Sequence, residues 1–353
     1  MSSVTSPSRI RTALVGLGRI GFLFHGPALQ NDPRFELVGV SDPLPERRRE
    51  AEGAWSTRAF EDLEEMLATV KPALVVLASP TPFHAAQAAA AIAAGADVFC
   101  EKPVASSLAE LDGMIAAARG AGRRLVPFQP RRYEPDVQAI KALLQSDRLG
   151  SVHLIQRART NYVRRRDWQA FRHHGGGMLN NYGSHCLDEF LWLLDGEPIR
   201  SVTCQLRCVA TVGDADDFVH AVLTTVTGRI IDLHISQAAA LSGPDWLLFG
   251  ARGAARWDHE QQQLECRYFR PEDAPELTPQ VGLAAEGRAY QDEQLPWRTE
   301  VQSTREVAPF DYYDALWRHL VLDEPPPVTL EQARALLDLI ERCRRSAESG
   351  SSA

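Results

Sequence analysis

From residue 9 to about residue 128, short apolar runs alternate with stretches whose apolar positions recur at helical spacing. The runs at 12–15, 35–40, 74–78, 97–99 and 124–128 have strand length. Between them, 18–30, 45–53, 60–70, 83–94 and 108–121 read as helices. Strand and helix in strict alternation predict βαβ units and a parallel sheet. The strands are solidly apolar rather than alternating, as expected when helices cover both faces.

Past residue 130 the pattern changes. A helix is expected over 134–145 and a long alternating strand over 152–162. A loop rich in Arg, His and Gly follows, then an apolar helix over 184–194. Runs at 202–212, 218–225, 229–237, 246–250, 254–258 and 263–269 predict consecutive strands, hence a large, open, mostly antiparallel sheet in a second α/β domain. Residues 271–297 show no period and read as loop. Helices are expected over 310–320 and 330–347, separated by Pro325-Pro326-Pro327, with a frayed tail over 348–353. The expected domains are 9–130 and 131–347, with the last helices free to pack back on the first.

Composition narrows the function. The net charge is −8, and no basic domain is present to drive nucleic-acid binding. The Ala-rich run at 85–99 is broken by Gln87, Gly95 and Asp97 and is too short to span a bilayer. Residues 1–8 lack a signal-peptide pattern, so a cytoplasmic protein is expected. None of the six cysteines (Cys100, Cys186, Cys204, Cys208, Cys266, Cys343) forms a C-x-x-C pair; reduced, mostly buried thiols are expected, with no metal site.

The segment Gly16-Leu17-Gly18-Arg19-Ile20-Gly21 is G-x-G-x-x-G, placed directly after a strand and before a helix. Gly16 permits the tight turn, Gly18 the approach of a pyrophosphate, and Gly21 close packing of helix on strand. The helix N-terminus offers free N–H groups to phosphate. Asp42 ends the second strand, where an acid accepts hydrogen bonds from the adenine ribose and repels a 2′-phosphate. Arg47, Arg48 and Arg49 could reach such a phosphate but read better as a solvated helix face, so NAD is favoured over NADP.

Glu101-Lys102-Pro103 stands just past the fourth strand. Together with the glycine fingerprint and Asp42, it resembles the Gfo/Idh/MocA oxidoreductases, the glucose–fructose oxidoreductase and inositol dehydrogenase group. The resemblance extends through Ser79-Pro80-Thr81-Pro82-Phe83-His84, Phe128-Gln129-Pro130-Arg131-Arg132-Tyr133, the stretch from Gly175 to Asp188, and Pro327-Val328-Thr329. It implies an N-terminal Rossmann domain, a C-terminal domain with an open sheet, and an active site between them. It also implies a sugar or cyclitol substrate and a homodimer or homotetramer formed through the open sheet, with no nucleic-acid or membrane partner.

Hydride transfer from a carbinol needs a base for the hydroxyl proton and a positive neighbour for the developing alkoxide. The resemblance places Lys102 at the reacting oxygen and His185 as acid or base. Many members of the family carry Asp where this chain has Asn181, which is uncharged and is left to orient His185 or to hold a substrate hydroxyl. Tyr182 could donate a proton instead, and Asp188, one helical turn past His185, reads equally as a partner of that ring or as a structural residue. Ser79, Thr81, His84, Glu101 and Gln129 are expected at the cofactor, although His84 could simply cap the following helix. Gln129, Arg132, Tyr162, Arg164 and Trp168 are expected near the substrate: Trp168 can stack on a sugar ring, and the run Arg164-Arg165-Arg166 can take a carboxylate or phosphate, if it is not a solvated charge run. Two other functions use the same residues: an enzyme that retains its NAD and drives elimination or epimerisation by transient oxidation, and a non-catalytic NAD-binding regulator.

Overall fold

A computed structural model describes residues 9–279, 293–350 and 352. The expectation for residues 1–8, and the 280–292 part of the loop expected over 271–297, lie outside those residues. Six strands, β1 (Ile10–Val15), β2 (Phe35–Ser41), β3 (Ala59–Phe60), β4 (Leu74–Leu77), β5 (Asp97–Cys100) and β6 (Leu125–Pro127), form a parallel sheet in the order β3-β2-β1-β4-β5-β6. Successive residues face opposite sides, so each strand feeds two cores. Leu14, Leu74, Val76 and Phe99 join Leu29, Ala51 and Leu316 on one face. Ala13, Val15, Val75, Leu77 and Val98 join Met66, Ala88, Ile92 and Leu111 on the other.

The helices that cover this sheet are α1 (Gly26–Asn31), α2 (Pro45–Trp55), α3 (Leu63–Val70), α4 (His84–Ala93) and α5 (Leu108–Gly120). Asp62 caps α3 by accepting from the Glu65 N–H, and Ser107 caps α5 by accepting from the Glu110 N–H. The helix expected over 18–30 is present over 19–31, and contains a five-residue π segment, Gly21–His25, just before α1.

After α6 (Pro135–Gln145) comes β7 (Val152–Thr160), and after α7 (Ser184–Leu193) come β8 (Ile199–Arg207), β9 (Phe218–Thr225), β10 (Ile230–Ser236), β11 (Trp246–Gly250), β12 (Gly253–Asp258), β13 (Gln263–Tyr268) and β14 (Arg298–Ser303). They form one sheet in the order β14-β13-β12-β11-β7-β10-β9-β8. It is mostly antiparallel but mixed, because β7 pairs parallel with β10. The edge strand β14 is absent from the sequence expectation: every one of its residues is exposed, so it carries no alternating pattern.

One face of this sheet is buried by α6, α7 and α9 (Leu330–Ser349) through Val202, Val219, Leu223, Ile231, Leu233, Trp246 and Leu248. The final helices return to the first sheet. Tyr312, Tyr313 and Leu316 of α8 (Tyr312–Leu322) pack on its Leu14 face, and α9 touches α5. No helix among the described residues is long and apolar enough to cross a membrane.

Candidate active site

The crevice beyond the carboxyl ends of the first sheet's strands, near the β1/β4 switch point, is where such folds bind ligands. Gly16 has φ +89°, and a Cβ placed on it would lie 2.6 Å from the Ser79 nitrogen. A Cβ on Gly21 would lie 1.9 Å from the Gly16 carbonyl oxygen. Both positions therefore require glycine for packing. Gly18 differs: nothing comes nearer to its Cβ position than an Arg47 nitrogen at 4.0 Å, so the chain there faces open space. The loop thus fits a dinucleotide, with crowded glycines below and an open one above. Ile20 on this loop is exposed, as is the neighbouring Arg19.

Asp42 is buried, and its carboxylate accepts from the Leu17 N–H at 2.8 Å and the Leu44 N–H at 2.9 Å. It ties the end of β2 to the glycine loop. Arg47 stands 3.4 Å from it, while Arg48 donates to the Asp42 and Pro43 carbonyls and pairs with Glu61.

Past β4, the Ser79 hydroxyl donates to Gln87 at 2.5 Å. His84 is buried, with one ring nitrogen 2.8 Å from the Ser79 carbonyl and the other 3.0 Å from the Pro103 carbonyl; burial lowers its pKa. It fastens the loops after β4 and β5 together. Thr81 begins a short turn beside it and is half-buried. Gln129, at the end of β6, is buried, and its Oε1 has no hydrogen-bond partner among the described residues. A buried carbonyl without a donor fits the amide of a nicotinamide.

After β5, Glu101 sits against His25, Oε1 to Nε2 at 3.2 Å, and accepts from the Lys102 N–H at 2.9 Å. His25 in turn meets the Tyr313 hydroxyl at 2.8 Å. The sequence reading missed His25; a lone polar residue in the apolar Phe22–Pro27 stretch was the available signal.

Lys102 makes one of the links to the second domain. Its Nζ donates to the Asn181 carbonyl at 3.0 Å and to Asn181 Oδ1 at 3.2 Å. Burial lowers its pKa to about 8, Arg131 and Arg165 add to the fall, and Glu101 opposes it. Asn181 also donates to Gln169 Oε1 at 3.2 Å. The Asn181 side chain thus bonds Lys102 and Gln169, and the orienting bond to His185 that the sequence allowed is not found among the described residues.

Asn181 and Tyr182 lie in a second π turn, Leu179–Gly183, which leads into α7 and His185. Such turns are rare and cluster at functional sites. The imidazole of His185 is pushed well below its ordinary value, by burial first and then by Lys102, Arg131 and Arg157. Its Nδ1 is buried and has no hydrogen-bond partner among the described residues. Tyr182 meets the His185 ring edge-on at 6.4 Å between centroids.

The predicted substrate residues divide. Arg132 is 2% exposed and forms a two-pronged ion pair with Asp188 at 2.5 and 2.9 Å, with a further bond to Gln332 at 2.7 Å. Both partners hold the chain together: Arg132 ties the turn after β6 to α7 and α9, which answers the open question about Asp188. Tyr162 and Trp168 are 58% and 43% exposed, and Arg164 is exposed beside them. All six cysteines are free; Cys208 is the exposed one.

A Rossmann sheet with a dinucleotide-fitting glycine loop, and a lysine at the crevice bonded to the turn before α7, defines an NAD-binding oxidoreductase. Comparison with known proteins agrees. Residues 10–128 match the oxidoreductase family with an NAD-binding Rossmann fold, and residues 137–256 match the GFO/IDH/MocA C-terminal domain. The chain therefore belongs to the Gfo/Idh/MocA oxidoreductase family.

It is 28% identical to the uncharacterized oxidoreductase YdgJ of Escherichia coli, over 94% of each chain. It is 29% identical to the D-glucoside 3-dehydrogenase of E. coli, over 57% of this chain and 59% of that protein. The solved WlbA dehydrogenase from Bordetella pertussis, in complex with NADH and UDP-GlcNAcA, superposes with a TM-score of 0.77 at 26% identity, covering 98% of each chain.

Proposed function

We propose that the protein is an NAD-dependent dehydrogenase that interconverts a hydroxyl and a keto group on a sugar or cyclitol. The observation that carries this reading is Lys102: a half-buried lysine just past the carboxyl end of β5, held by Asn181 of the second domain one turn before His185. Gly16, Gly18 and Gly21, with Arg19 and Ile20 on the same loop, would hold the pyrophosphate end of NAD. Asp42 and Gln129 would flank the ribose and carboxamide, and Ser79, Thr81, His84 and Glu101 would shape the wall between them. When bound, the nicotinamide supplies the hydride acceptor.

The chain's own residues handle the proton and the charge. Lys102, largely protonated at neutral pH with a pKa of about 8, stabilises the oxygen as its proton leaves. His185, kept neutral by burial and neighbouring cations, accepts that proton. One group is held charged and the other neutral, which is how a single site assigns acid and base roles. The glucoside dehydrogenase relative and the nucleotide-sugar complex of WlbA support a sugar-like substrate. We also propose that the two domains divide near residue 130 and that copies associate through the uncovered face of the second sheet.

The test is NADH formation from NAD across aldoses, glycosides, inositols and sugar acids. Turnover that is lost by at least about 100-fold in both Lys102→Met and His185→Ala, with NAD binding retained, is the expected result. Undiminished turnover in either variant would remove that residue from the mechanism.

A further inference from the structure

We propose that the substrate carries an anionic group, a carboxylate or a phosphate, seated against Arg131 and Arg159 beside Tyr182. This rests on the dehydrogenase reading above and narrows it.

The chain as a whole is acidic, with a net charge of −8. Yet residues 157–174 hold Arg157, Arg159, Arg164, Arg165, Arg166 and Arg172 against Asp167 alone. A charge run is ordinarily a solvated face, and Arg164, Arg166 and Arg172 are exposed in that way. Arg131, Arg159 and Arg165 are not: they are half-buried around the residues of the reaction. The Arg131 guanidinium lies 5.3 Å from the Tyr182 ring centre, and that of Arg159 lies 5.1 Å from the same ring. One aromatic side chain, three residues before His185, thus bridges two cations.

The acids nearby engage this group unevenly. Arg159 shares Asp245 with Arg157, each at 3.6 Å. Arg157 is buried and already bonded to Glu189 at 3.0 Å. Arg165 is taken up by Asp167 through two contacts at 3.2 Å. Among the described residues Arg131 has no ion pair within 4 Å, and its charge acts on Lys102 and His185 as well as on the buried Glu189.

Clustered like charge in a partly dry crevice is unfavourable unless something bound there offsets it, and it focuses attraction on anions. The diphosphate of NAD does not serve. It belongs at the glycine loop after β1, whereas Arg131 follows β6, three places along the sheet. A planar guanidinium pairs two-pronged with carboxylate or phosphate, so two of them beside one ring make a specific anion seat.

The experiment uses the NAD-loaded protein. D-Glucuronate, D-glucose 6-phosphate and myo-inositol 1-phosphate are compared with glucose and myo-inositol, by calorimetric binding and by NADH formation. At least one charged compound should bind about tenfold or more tightly than its uncharged parent, with affinity falling as NaCl rises. That advantage should shrink about tenfold in Arg131→Gln and in Arg159→Gln, at unchanged NAD affinity and melting temperature. The carboxylate and phosphate arms tell the two sources apart.

Neutral sugars that bind and react as well as the charged ones, or a preference indifferent to both substitutions, would overturn the anion seat while leaving the dehydrogenase reading intact. Arg131-dependent binding of a charged compound without NADH would do the reverse. Binding of neither class, with NAD in place, also overturns the anion seat.

Discussion

Lys102→Met should make the cofactor-free protein more stable at neutral pH while removing its proposed turnover. The ammonium sits where burial, Arg131 and Arg165 lower its pKa from 10.5 to about 8 against the pull of Glu101. A fall of about 2.5 units corresponds to about 3 kcal/mol of charge burial. The folded state binds the proton less tightly than the unfolded state does. Between about pH 8 and about pH 10.5 the unfolded chain therefore holds more protons, and wild-type stability rises with pH across that window. Below it the full cost is carried.

The variant has no such proton, so its advantage over wild type should be greatest near neutrality and shrink by about 2 kcal/mol between about pH 7 and about pH 9.5. The lost bonds to Asn181 offset about 1–2 kcal/mol of the gain, but equally at both pH values. The assay is urea unfolding followed by tryptophan fluorescence and circular dichroism, at both pH values, with denaturant slopes compared. A difference between the two proteins that stays constant with pH, or that widens as pH rises, would refute the argument that Lys102 is a strained cation.

Other perturbations test separate parts of the structure. Asn181→Asp puts a carboxylate at Lys102 Nζ, so the alkaline limb of the pH–rate profile, expected near 8, should move up by about one unit; a limb that stays in place would mean another group titrates there. Activity should persist well below pH 6.5, since the His185 imidazole is depressed from that value, and an acid limb at or above it would contradict the buried, cation-flanked ring. Asp188→Asn strands the buried Arg132 guanidinium and should cost roughly 3–5 kcal/mol in urea unfolding; a loss below about 1 kcal/mol would show that the pair is not what holds the turn after β6 to α7. Gly21→Ala brings a methyl to 1.9 Å from the Gly16 oxygen, so calorimetric NAD affinity should fall by at least about tenfold, and wild-type affinity would mean the loop can yield.

The cofactor half of the site was legible because its chemistry is local. A G-x-G-x-x-G between strand and helix, an acid at the next strand end and Glu101-Lys102-Pro103 after β5 need only short stretches of chain to be read. The two π turns were not legible, since a π turn differs from an α-helix by one residue of register and leaves no mark on apolar spacing. β14 escaped for a similar reason, because a strand exposed on both faces has no alternation to detect. The parallel pairing of β7 with β10 depends on where the chain returns after α7, which spacing does not encode.

The sequence by itself determined the class of fold and the cofactor loop, both set by periodicity and by residues neighbouring in the chain, while the reactive side chains proposed here came from the family resemblance. Partnership was decided only by the tertiary structure. Asn181 meets Lys102 across 79 positions of chain, Arg132 meets Asp188 across 56, and Arg131 and Arg159 converge on Tyr182 from separate elements. Charges so placed shift one another's protonation through space, and distance in space is what the linear order of residues does not contain.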